Sequence, residues 1–195
     1  MFDIISDKIA DGFVKTNAIK AEDKEIYQFG IQQTFVILLN IITAAILGIA
    51  FHKFWNMVVF MAAFIPIRIY AGGFHAKTSL RCYIYSIFFL AAVLLAMRFV
   101  DLTNLIYCLL YCLSSIIILC LAPIADINKP LDKTEKIVYK KRTVILWVTE
   151  TVVIFICYFF SWSIIFESCI YSLFSTAIML CLSSRKCIKG ARKSA

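Results

Sequence analysis

The chain has only two histidines, His52 and His75, and none of its eight cysteines form a Cys-x-x-Cys pair. A structural zinc site, which needs paired Cys and His at short spacing, is therefore excluded. No ATP or metal motif occurs, so no cofactor and no metal is expected. No internal repeat is visible, which argues against an inverted-repeat transporter. Charge is also scarce, at 16% of 195 residues. Asp3, Asp7 and Asp11 are mixed with Lys8 at the start. That pattern has no continuous apolar core and does not predict a secretory signal.

Apolar residues are what the chain has in excess. They make up 62% of it, with a mean hydropathy of +0.87. A soluble domain holds about 45–50%, and a chain this size could not hide the surplus from water by folding. The composition predicts an all-α, polytopic membrane bundle forming one domain over 1–195. The net charge of +8 is then a topology signal and an attraction to anionic lipid heads; nucleic acid is not an expected partner. Cys108, Cys112, Cys120, Cys157, Cys169 and Cys181 all fall in apolar segments. They are expected to be inert buried thiols behaving as small hydrophobes.

Residues 1–28 predict no span. Phe2, Ile5, Ile9 and Phe13 recur at helical spacing, with the charges largely off that stripe. This fits an amphipathic helix lying on the membrane or packing against the bundle. Six apolar segments follow, near 31–51, 54–70, 82–100, 104–122, 143–162 and 164–183, within a bundle taken as 29–185; a basic tail occupies 186–195. Pro66 interrupts the second segment. Prolines in the loop after 122 stop the fourth helix. Asp132 or Thr134 is placed to cap a short helix running to Arg142.

Eighteen of the twenty Lys and Arg fall in the segments on one side of these spans, and two on the other. By the positive-inside rule, both termini and the stretch 68–82 are expected in the cytoplasm.

That stretch, from Arg68 to Cys82, is where a His and a Cys occur together with glycines and cations. Cysteine catalysis needs a thiolate, a base and donors for an oxyanion. Thr78 or Ser79 is a suitable N-cap for the third span, which puts Cys82 in its first turn. The helix N-terminus, with Lys77 and Arg81 close by, favours a thiolate there. His75 is the only imidazole expected on that side. In one straight helix the two Cα atoms would be about 10.5 Å apart, too far for a hydrogen bond. The dyad therefore requires a bend, which Gly72-Gly73 permits. Arg68 and Glu150 are the other costly residues, each in or at the edge of an apolar segment. They are expected either to pair or, for Arg68, to bind a substrate carboxylate.

The series Arg68-x-x-Ala71-Gly72-Gly73-x-His75-Ala76, then Cys82, then Asn128-Lys129-Pro130 resembles the AgrB (accessory gene regulator protein B) family. Length, six apolar segments, the amphipathic start and the basic tail agree with that resemblance. It implies a bacterial membrane cysteine endopeptidase of quorum sensing, with Cys82 as nucleophile and His75 as general base. Arg68, Gly72, Gly73, Lys129 and Glu150 are expected to support the site or bind substrate. The implied partner is an AgrD-like precursor peptide, whose tail is released through an acyl-enzyme thioester. The precursor's own Cys or Ser then closes a thiolactone or lactone ring. The motif fixes no third catalytic member; Asp126 and Asn128 are candidates to orient His75. A homodimer is the implied assembly. The competing reading from a different class is a small transporter or exporter of a peptide or cation using Arg68 and Glu150; a third is a non-catalytic scaffold.

Overall fold

A chain that crosses hydrocarbon must satisfy its backbone N–H and C=O groups internally, and helices do this within each segment. The structure, a computed structural model, describes residues 2–16, 18–72, 79–124 and 132–191. Among them it has seven α-helices: α1 (Phe2–Lys15), α2 (Lys24–Ala50), α3 (Phe54–Ala71), α4 (Ser79–Phe99), α5 (Asn104–Leu121), α6 (Lys133–Phe159) and α7 (Ser163–Ala191). A 3-10 turn, Ala21–Asp23, leads into α2. The six helices from α2 onward are long and apolar enough to cross a membrane. The protein is thus an all-α, multi-pass membrane bundle.

The chain divides into two compact units, 1–46 with 76–90, and 47–75 with 91–195. In the first, α1 is the helix expected at the start of the chain. Ser6 and Ala10 are fully buried, while Ile5 and Phe13 are exposed. Ile9 on the same stripe is half-buried, so the stripe is partly exposed, as in a helix lying along a lipid surface. Lys24 holds the helix by ion pairs to Asp7 at 3.0 Å and Asp11 at 2.6 Å. The helical pattern expected over 1–28 ends at Lys15, and residues 24–28 belong to the first span. Elsewhere in this unit the Thr43 and Tyr83 hydroxyls hydrogen-bond at 2.8 Å.

In the second unit α7 is the central helix, packed by α3, α5 and α6. Its spanning window is 61% buried, against 18–33% for the other spans. Small residues make this possible: Ser168, Cys169, Ser172, Ser175, Thr176 and Ala177 are all buried. Small side chains let helix backbones approach, which is the main source of packing energy between helices in lipid. Two of their hydroxyls are satisfied on their own helix. Ser168 donates to the Ile164 carbonyl at 2.7 Å and Thr176 to that of Ser172 at 3.0 Å.

Two expectations are corrected here. The segment 133–142 is not a separate short helix. It is the first part of α6, which continues without a break to Phe159. Asp132 and Glu135 form a capping box there, the Asp132 N–H donating to Glu135 Oε2 at 3.1 Å. Of the six cysteines expected to be buried, Cys157 and Cys169 are, Cys181 is half-buried, and Cys108, Cys112 and Cys120 lie exposed along α5. In a spanning helix the surroundings are hydrocarbon, so an apolar thiol gains little by facing inward.

Two hydrogen bonds tie α5 to α6: Trp147 Nε1–H donates to Ser115 Oγ at 3.0 Å, and the Tyr111 and Thr151 hydroxyls meet at 3.1 Å. Interhelical bonds of this kind in membranes are worth about 0.6 kcal/mol. Ser115→Ala is expected to cost about that much, and thermal unfolding in detergent, compared with the wild type, measures it.

Candidate functional site

α3 carries the first part of the glycine motif. Pro66 is accommodated within it, and the helix ends at Ala71. Arg68 lies one turn before that end, its guanidinium carbon 5.7 Å from the centre of the Phe64 ring. The Gly72 N–H closes the last turn on the Arg68 carbonyl at 3.0 Å. Gly72 then turns sharply, with φ 82° and ψ −167°. Only glycine occupies that region without strain.

Its side-chain position is also taken. A Cβ on Gly72 would collide with the Ile124 carbonyl. Ile124 pairs with this turn across 52 residues of sequence: its N–H donates to the Ala71 carbonyl at 3.1 Å, and Gly72 and Ile124 form an isolated parallel bridge. The segment after α5 is therefore laid against the end of α3. Sequence reasoning passed over Ile124, because nothing local to it marks a long-range backbone contact.

Cys82 belongs to the other compact unit. α4 begins at Ser79, which makes Cys82 its fourth residue and puts it in the first turn. Ser79 is thus helical, the first residue of α4. The first turn of a helix has N–H groups without intrahelical acceptors and the positive end of the helix dipole. The Cys82 side chain is half-exposed and its thiol is free. Its carbonyl accepts the Ser86 hydroxyl at 3.0 Å. Gly73, His75, Lys77 and Thr78 lie outside the described residues, as do Asp126, Asn128 and Lys129.

Glu150 is buried in α6 at 8% exposure. The structure does not pair it with Arg68: among the described residues the two form no ion pair. The Ser172 hydroxyl of α7 lies near the Glu150 carboxyl, and Oε2 has no hydrogen-bond partner. Two surface clefts, one along α2 lined by Tyr27, Gly30 and Thr34 and one around Lys53 and Asn56, contain none of the expected site residues.

The fold and these residues define a multi-pass membrane protein whose helix ends carry a glycine-only turn and a half-exposed thiol. Residues 6–182 match the model of the family accessory gene regulator B. The chain therefore belongs to the AgrB family. It is 30% identical over 149 residues to AgrB-like protein 2 of Clostridium perfringens (strain 13 / Type A), covering 73% of this chain and 68% of that one. No solved structure matches. Membership brings the chain into peptide processing in agr quorum sensing, with an AgrD-type precursor as partner.

Gly72→Ala places a Cβ in a glycine-only region and against a carbonyl. It is expected to lower stability by about 1–3 kcal/mol, and the detergent melting temperature checks this. An Ala variant as stable as the wild type would mean that the turn relaxes freely.

Proposed function

We propose that this protein is a membrane cysteine endopeptidase that releases the C-terminal tail of an AgrD-type precursor and passes its acyl group on to form a ring. The observation that carries this reading is the place of Cys82: a free, half-exposed thiol in the first turn of α4, seven residues after His75 in a motif typical of the family.

The chemistry runs in two acyl transfers. His75 accepts the thiol proton, and the Cys82 sulfur attacks the scissile carbonyl. Negative charge develops on the carbonyl oxygen, where helix N-terminal N–H groups are suitable donors. The intermediate collapses as His75 returns the proton to the leaving amine, and the tail departs. The precursor's acyl group is now a thioester on Cys82. The precursor's internal thiol or hydroxyl attacks that thioester, and His75 takes and returns the second proton. Thiol attack exchanges one thioester for another, so this second step needs little driving force. Water must be kept from the acyl-enzyme, which a site at a membrane boundary favours.

Co-expression with a precursor encoded beside the gene tests this. Mass spectrometry is expected to find a released tail and a cyclic or Cys82-linked product with the wild type, and neither with Cys82→Ser. A transporter working through Arg68 and Glu150 predicts the reverse, with Cys82→Ser active and Glu150→Gln inactive.

The same reading puts both termini and the 68–82 stretch in the cytoplasm. The supporting observation is the distribution of Lys and Arg between alternate loops. Cysteines placed singly at Lys53 and at Asp132 in a background without other accessible thiols are expected to separate cleanly. A membrane-impermeant maleimide should label the first in intact cells and the second only after lysis. The opposite pattern inverts the topology.

A further inference from the structure

The basic start of α6 counts as a topology signal by composition, but one turn of it has a more specific set of contacts. The Lys140 ammonium donates to the carbonyls of Leu119 and Ala122, the latter at 2.8 Å. These are terminal carbonyls of α5, which have no helical donors ahead of them, and a cation is the natural partner for that end of a helix. Two residues after Ala122 comes Ile124, whose N–H and carbonyl meet Ala71 and Gly72. The same turn of α6 grips α3 directly. Arg142 Nη1 donates to the Tyr70 hydroxyl at 2.9 Å, its guanidinium carbon lies 5.0 Å from the centre of that ring, and Tyr139 meets Tyr70 edge-on at 5.7 Å. Residues 139–142 thus hold the ends of α3 and α5 against each other, at the point where the chain leaves Gly72 for His75.

We propose that Lys140 is a positioning residue for the reaction: by tying down the α5 carbonyls it fixes Ile124, and through Ile124 the turn at Gly72 from which the His75 stretch departs. Arg142 and the Tyr70–Tyr139 pair brace the same turn from the α3 side. The inference rests on the peptidase reading for its catalytic consequence, and on the hydrogen bonds alone for its structural one. Lys140 touches no reacting atom. Its loss should leave substrate affinity in place and misplace the base.

The test uses the full-length protein in detergent or nanodiscs, with Lys140→Met and Lys140→Arg beside the wild type, and a synthetic precursor peptide as substrate. For Lys140→Met, kcat is expected to fall roughly ten- to hundredfold, as a misplacement near 1 Å can cause, with KM within about twofold. Lys140→Arg keeps a cation at the carbonyls and is expected to recover most of kcat. Hydrogen exchange at the Ile124 amide provides a reading that needs no substrate: it should quicken roughly tenfold in Lys140→Met and stay near wild type in Lys140→Arg. Unchanged exchange at Ile124 in a folded Lys140→Met protein overturns the proposal. Faster exchange with an unchanged kcat also overturns it, reducing Lys140 to an ordinary helix cap. A wild-type protein that fails to cleave overturns the peptidase reading and the catalytic role of Lys140 with it; the exchange data would then separate that failure from a failure of the clamp.

Discussion

The constraint on which this structure depends is that no backbone polar group can be left unpaired in hydrocarbon. Within each span the helix meets it. At helix ends it is not met automatically, and the chain supplies specific answers there. The Glu135 carboxylate receives the N–H at the start of α6. Lys140 covers the last carbonyls of α5. Ile124 takes the Ala71 carbonyl at the end of α3. Three elements of the second unit are therefore joined at one end by the groups that a spanning helix leaves unsatisfied. That end of the second unit gains rigidity from these bonds.

The same constraint governs the interior. Hydroxyls on Ser114, Thr143, Ser168 and Thr176 donate to carbonyls one turn back on their own helices. They add polar character to the packed faces without demanding partners across them, and they keep those faces narrow enough for α7 to sit among α3, α5 and α6. Glu150 is the exception. It is a carboxyl at matching depth with Ser172, it has an unpartnered oxygen, and no cation is bonded to it among the described residues. A lone ionised carboxylate would be costly in that place, and Arg68 does not offset it, since among the described residues the two form no ion pair.

What the sequence made legible follows from range. The spans could be read because twenty-residue apolar runs are a local property. The first-turn position of Cys82 could be read because capping is local too. The bond from Ile124 to Ala71 and the reach of Lys140 to α5 could not be, since neither residue type announces a distant partner. Lys140 was one of six cations in its loop, and composition treats six cations alike. The continuity of α6 was hidden by a change from polar to apolar residues near Arg142, although Asp132 and Glu135 carried the capping-box signal of a helix already under way. The exposure of Cys108, Cys112 and Cys120 was missed for a different reason: in lipid, apolar character no longer tells inside from outside.

These contacts divide the motif into two kinds of residue. Gly72 is required for its backbone: φ 82° excludes other side chains, and the Ile124 carbonyl fills the space a Cβ would take. Cys82, under the proposed function, is required for its atom, a sulfur at a helix start. Substituting the first kind should disturb geometry and stability together; substituting the second should remove chemistry and leave the fold. The carbonyls of Ala71 and Arg68 receive the Ile124 and Gly72 N–H groups, bonds that belong to the backbone and do not depend on those side chains. The glycine end of the motif is thus a backbone joint, locked by a segment from beyond α5, and the cysteine end is a helix start.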